Sequence, residues 1–165
     1  MRVLGIDPGT VNLGYALVES NNHELVLISS GVLKVNSKLD VSYRLDEIFN
    51  SLVEIIKLTS PIEVAIEAPF VSQNVRTAML IGRAQAVAIL AATQNNLGIF
   101  TYAPSQIKKS VTDNGGSSKE QVRDMVESIL NIEKAFEDLD ESDAIAVALC
   151  HLKDKEMQEL MLREI

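Results

Sequence analysis

The 165-residue sequence predicts a mixed α/β fold, an antiparallel meander continued by parallel strands and flanked by helices. Three observations predict it. Residues 2–35 form short apolar stretches separated by turn-forming residues, a spacing that suits antiparallel neighbours. Apolar positions then switch to helical spacing over residues 43–58. From there helical and strand-like stretches alternate, the order of a sheet that carries helices on its faces.

Each element follows from its local pattern. Residues 2–7 read as an apolar strand that closes on the turn Pro8-Gly9-Thr10. Gly14 to Glu19 is a second strand, with Asn21-Asn22-His23 as the next turn. Glu24 to Val35 supplies one or two more stretches, broken near Ser29-Ser30-Gly31. Leu45, Ile48, Phe49, Leu52, Ile55 and Ile56 then recur every three or four residues, an amphipathic helix that Ser60-Pro61 ends. Glu63 to Glu67 is a brief buried strand, and a strand after a crossover helix normally returns parallel to its sheet. Asn74 to Asn96 is a long alanine-rich helix with Gly82 inside it, stopped by Gly98, and Ile99 to Ala103 is another strand. Helices at Pro104–Val111 and Lys119–Leu130 flank residues 112–118, whose Gly and Ser content is that of a mobile loop. A final helix starts near Asp140 and runs past His151. The pattern amounts to one domain over 1–153 followed by a charged, loosely packed tail over 154–165.

Composition narrows the class. With 47% hydrophobic and 23% charged residues the chain suits one soluble domain with a substantial core. No apolar run reaches the ~18–20 residues that span a bilayer, and the N-terminal apolar stretch is too short for a signal peptide. Cys150, the one cysteine, excludes an intrachain disulfide, fits a reducing cytoplasm and lies on an apolar helix face where it would pack as a small hydrophobe. The net charge of −8 argues against a general nucleic-acid binder. A protein that holds metal ions on carboxylates is an exception: two divalent cations would bring it to about −4, with the positive charge concentrated at one place.

Four acids form the candidate site. Asp7 ends the first strand and Glu67 ends the strand at 63–67, so if the two are parallel neighbours both carboxylates project at one sheet edge, where open α/β sheets bind ligands. Asp140 and Asp143, three apart, share one face of a first helical turn. Like charges held together call for a cation, and four oxygen donors suit Mg²⁺ or Mn²⁺. Two such ions could activate a water and stabilise the leaving oxygen of a phosphodiester. Plainer readings stand beside this one: a helix cap for Asp140 and Asp143, a turn residue for Asp7.

Gly5-Ile6-Asp7-Pro8-Gly9-Thr10, Ala65-Ile66-Glu67, Phe70 with Asn74, and Asp140-x-x-Asp143-Ala144-x-Ala146 together resemble the RuvC Holliday-junction resolvases in order and spacing over nearly the whole chain. That resemblance implies a ribonuclease-H-like fold and a homodimer that cuts opposite strands of a four-way DNA junction symmetrically, with a branch-migration helicase as a further partner. It assigns catalysis and metal binding (Mg²⁺, with Mn²⁺ as substitute) to Asp7, Glu67, Asp140 and Asp143. It makes Phe70 a wedge against bases, though a core place for Phe70 is also open, and it puts Lys108 and Lys119 on phosphates. Lys109, Arg76 and Arg123 are weaker candidates. The long helix would supply the dimer interface, with Ala78, Gly82, Ala84, Ala86 and Ala88 allowing close approach; a buried crossover helix in a monomer is the alternative.

Gln73 stands where the family often has a basic residue, and Asp113 would bring negative charge near the DNA. Two other functions fit parts of the pattern: a junction-binding protein that cuts little or not at all, and a related ribonuclease-H-like nuclease acting on another nucleic acid. An actin-like ATPase, suggested by the first loop alone, needs a second such domain for which the chain is too short.

Overall fold

The computed structural model describes residues 1–22, 24–70, 74–133 and 136–163. His23 and Gln73 therefore lie outside the described residues. Strands β1 (Arg2–Asp7), β2 (Asn12–Asn21), β3 (Glu24–Lys34), β4 (Glu63–Glu67) and β5 (Gly98–Tyr102) form one sheet in the order β3-β2-β1-β4-β5. The first three are the expected antiparallel meander, and β1, β4 and β5 run parallel. The stretch from Glu24 is a single strand with no break at Ser29–Gly31. Its irregularity is a register shift at Leu17/Val18, where an extra residue of β3 is absorbed without ending the pairing.

Alternation along the strands sends side chains to two cores. Leu4, Ile6, Val64 and Ile66 face α1 (Val41–Thr59) and α2 (Val75–Gln94), which contribute Ile48, Leu52, Ile56, Ala88, Ala91 and Ala92. Val3, Ala16, Val18 and Ala65 face α3 (Pro104–Thr112), α4 (Lys119–Ile129) and α5 (Leu139–Arg163). Cys150 belongs to this second core, as expected.

α2 is long and apolar enough to cross a membrane by length and mean hydropathy alone, at 1.3. It carries Arg76 and Arg83, and it packs on α1 with Ala78, Ala84 and Ala88 buried. Three of the five small residues expected at a dimer interface thus serve this chain's own core. Gly82, beside which an added Cβ would meet nothing within 4 Å, and exposed Ala86 remain on the open side.

α5 crosses the sheet with its backbone almost against β1 and β2. An ideal Cβ on Gly5 would fall 2.2 Å from the Ala144 carbonyl oxygen, and one on Gly14 would fall 1.9 Å from that of Asp140. The helix continues unbroken over residues 154–163 of the stretch expected as a tail. The physical reason is that its first charged residues have partners: Lys155 Nζ lies 2.9 Å from Glu63 Oε1 and 4.3 Å from the Phe100 ring centre. Further out, Met157, Leu160, Met161 and Leu162 are exposed.

A buried histidine joins this helix to the sheet. His151 Nε2 lies 2.6 Å from Glu63 Oε2, and its Nδ1 lies 2.7 Å from the Tyr102 hydroxyl. Burial holds the imidazole below its ordinary pKa, outweighing the pull of Glu63. Burial alone would raise the Glu63 carboxyl, but hydrogen bonds from His151 and Lys155 bring it below its usual value. A neutral ring that donates from Nε2 and accepts at Nδ1 satisfies both partners. As pH falls through the unfolded histidine's ~6.5, the unfolded chain binds a proton that the folded one refuses, so stability drops; Glu63 adds a loss in the same direction below ~4.5. Urea midpoints measured between about pH 7 and 5 are expected to fall more steeply for this protein than for His151→Gln, and equal slopes would remove the histidine from the account.

Candidate active site

The register Ile6↔Ile66 leaves Asp7 and Glu67 as the next residues at the same edge of the sheet. The tight crossing at Gly5 and Gly14 brings the first turn of α5 to that edge. Carboxylate oxygens of Asp7, Asp140 and Asp143 all lie within 4.8 Å of one another. Glu67 stands at the margin of that trio and within electrostatic reach of Asp7 and Asp143. Burial, then repulsion from Glu67 and Asp143, holds Asp7 well above the usual carboxylate range. Glu67 is pushed up to about 7, by burial first and Asp143 second. Burial also raises Asp143, against the opposing effect of Lys119.

The cap reading of Asp140 and Asp143 does not hold. Asp138 Oδ1 accepts from the Asp140 amide at 3.2 Å, so the residue just before the helix does the capping and leaves the other two carboxylates turned to the site. Lys119 opens α4, whose start is set by a reciprocal capping box between Ser118 and Gln121. Its ammonium donates to Asp143 and stands 3.6 Å from Asp140. Lys108 Nζ donates to the Ser117 carbonyl at 2.7 Å, close enough for its charge to favour ionised Glu67 and Asp143.

Residues 112–118, whose composition suggested a mobile loop, are tied internally. The Thr112 hydroxyl lies 2.8 Å from Ser117 Oγ and 3.0 Å from the Asn114 carbonyl oxygen, and Asn114 Oδ1 accepts from the Gly116 amide at 3.0 Å. Asp113 does not place its charge among the acids. It caps the far end of α3 in a left-handed conformation and lines a surface cavity beside Met1, Ser20 and Lys153.

Phe70 follows Glu67-Ala68-Pro69 and is 69% exposed, which rules out the core reading. Asn74 caps α2 by accepting from the Thr77 amide at 3.1 Å. Arg123 is engaged by Asp124 and Glu127, whereas Lys109 and Arg76 are exposed.

Arg44 escaped the sequence reading. Its Nη1 reaches the Thr10 hydroxyl at 3.2 Å and carbonyl oxygen at 3.4 Å, bracing the turn that follows Asp7, while its buried Nε has no partner among the described residues. The one local signal was an arginine on the otherwise apolar side of a helix, which pattern alone cannot distinguish from a solvated charge.

The donors are all carboxylate oxygens, the ligand type of hard divalent cations, and burial together with mutual repulsion opposes the charge of Asp7, Glu67 and Asp143. One ammonium, that of Lys119, faces these acids, and the all-oxygen donor set fits a divalent cation.

A mixed sheet in this order, crossed by a helix that brings two acids to those on the central strands, defines a ribonuclease-H-like protein with a carboxylate site. Among solved structures, Thermus thermophilus RuvC in complex with a Holliday junction substrate matches with a TM-score of 0.89 and 29% identity, covering 96% of both chains. The yeast mitochondrial Holliday junction resolvase Ydc2 shares the fold, with a TM-score of 0.65 and 13% identity over 99% of this chain and 86% of its own. Among sequences, RuvC from Dehalococcoides mccartyi is 44% identical, covering 92% of this chain and 90% of that protein. RuvC from Caldicellulosiruptor saccharolyticus is 44% identical over 92% of both. The model of the crossover junction endodeoxyribonuclease RuvC family matches residues 3–151, and the chain belongs to that family.

Proposed function

We propose that this protein resolves four-way DNA junctions by divalent-metal-dependent hydrolysis of phosphodiester bonds, in recombination and repair. One observation carries the reading: in a RuvC-family chain, Asp7, Asp140 and Asp143 meet at one sheet edge with Glu67 beside them. These four would hold the metal, Mg²⁺ with Mn²⁺ as substitute, as a pair of ions. Such ions supply an activated water and stabilise the leaving oxygen. Phe70, exposed and three residues after Glu67 in the chain, would stack on an unpaired base. Lys108 and Lys119 offer charge to phosphates, and the openings of α3, α4 and α5 add the positive ends of their dipoles. Two divalent cations on the acids would offset part of the net charge of −8 and concentrate positive charge at the site. The unit doing this includes α5 beyond the boundary expected at Lys153, and it acts in the cytoplasm with the DNA and with a branch-migration helicase as partner.

A synthetic four-way junction beside a linear duplex, with Mg²⁺, Mn²⁺ or chelator, tests the reading. Paired nicks in the junction are expected with either metal and none in chelator. Binding without nicking under both metals would leave a junction-binding protein, and preferential cutting of RNA a different nuclease.

The dimer belongs to the same proposal. Val75, Met79, Ala86 and Leu90 are exposed on α2 around the unobstructed Gly82, an apolar face suited to a two-fold pairing of this helix with its copy. Gly82→Glu is expected to convert a dimer into a monomer by light scattering and to replace paired cuts by rare single nicks. A dimer undisturbed by that charge would place the interface elsewhere.

A further inference from the structure

We infer that Lys119 is an exchangeable counter-ion: in the free protein its ammonium holds the place at Asp143 and Asp140 that a divalent cation needs, and a DNA phosphate, by drawing the ammonium away, makes room for the metal. The inference rests on the metal reading of the four acids and adds the order in which the site fills.

Three features of the site support it. The ammonium is bonded to Asp143 and lies 3.6 Å from Asp140, inside a cluster whose carboxylate oxygens come within 4.8 Å of one another. Its field also reaches Asp7 and Glu67, so one lysine is the shared cation of all four acids. A metal bound to the same oxygens would compete with the ammonium for Asp143 Oδ2 and meet a repelling positive charge at close range.

The lysine is also free to leave. It is the first residue of α4, its side chain is half exposed, and the capping box that sets the helix start runs through Ser118 and Gln121 instead. Its four-carbon stem can turn toward solvent without moving backbone. Lys108 contrasts with it, because its ammonium is held by the Ser117 carbonyl oxygen within the same substructure. A phosphate beside α4 offers Lys119 an equivalent partner and leaves Asp143 open. Metal and junction should then strengthen each other's binding, by an equal factor in both directions.

Two binding measurements test this without any cleavage. Calorimetric titration of the DNA-free protein with Mn²⁺ is expected to show Lys119→Gln binding the ion about tenfold more tightly than the unaltered protein, while Lys119→Arg, which keeps the charge, stays weak. Anisotropy of a labelled four-way junction at constant ionic strength is expected to show Ca²⁺ tightening binding to the unaltered protein about tenfold and leaving Lys119→Gln unchanged. Equal Mn²⁺ affinity in all three proteins, or weaker binding by Lys119→Gln, overturns the counter-ion role while leaving the metal site intact. No uptake of Mn²⁺ by any of them, with no effect of Ca²⁺ on the junction, overturns the metal reading and this inference with it.

Discussion

Asp7→Asn is expected to lower junction cleavage by at least about 10³-fold while junction binding persists. Removing one preorganised electrostatic partner of a reacting centre typically costs 10²–10³, and a ligand at the heart of the cluster belongs at the upper end. Asn has the shape of Asp, so packing at the end of β1 is kept, but its amide is a poor ligand for a hard cation. The same change should stabilise the metal-free protein. Burial and the charges of Glu67 and Asp143 oppose ionisation of Asp7, so an uncharged side chain there relieves a cost that only the function requires. Cleavage on gels, anisotropy with labelled junction and a metal-free melting curve at about pH 8 give the three readouts. Undiminished cutting in Mg²⁺ would remove Asp7 from the chemistry, and a lower melting midpoint would make its charge structural.

Gly14→Ala is expected to cost about 3 kcal/mol or more, enough to unfold a marginal domain. The added methyl would sit 1.9 Å from the Asp140 carbonyl oxygen and 2.7 Å from its carbonyl carbon, and backbone cannot turn aside as a side chain can. Gly5→Ala meets the same obstacle at Ala144 and Ala148. Whatever folds must lift α5 from the sheet, carrying Asp140 and Asp143 away from Asp7, so surviving protein should bind junctions yet cut them poorly. Urea midpoints and cleavage on the same preparation check this, and an unchanged midpoint would contradict the close crossing of α5 over β2.

Both predictions turn on contacts that the sequence showed unequally. Asp7 and Glu67 were legible because each closes an apolar strand, and two parallel strands must end at one edge. Asp140 and Asp143 were legible as one face of a helix, but taken alone they read more readily as a helix cap, the role that Asp138 fills. The glycines that let α5 approach gave no sign of it, since Gly5 and Gly14 look like ordinary breaks in an apolar run. The stretch after Lys153 read as a tail because its residues are charged, and only contact with Glu63 and Phe100 shows that its first turn is part of the fold.

The sequence by itself determined the elements, their order and the two strand-end acids, because hydrophobic periodicity, turn residues and short connections are local properties of the chain. Only the tertiary structure decided which charges meet. Lys119 and Asp143 are 24 residues apart, Arg44 and Thr10 are 34 apart, and His151 and Glu63 are 88 apart. No local pattern encodes such pairings. The pairings that α5 makes follow from how closely that helix can lie on the sheet, and that distance was set by two missing side chains, at Gly5 and Gly14.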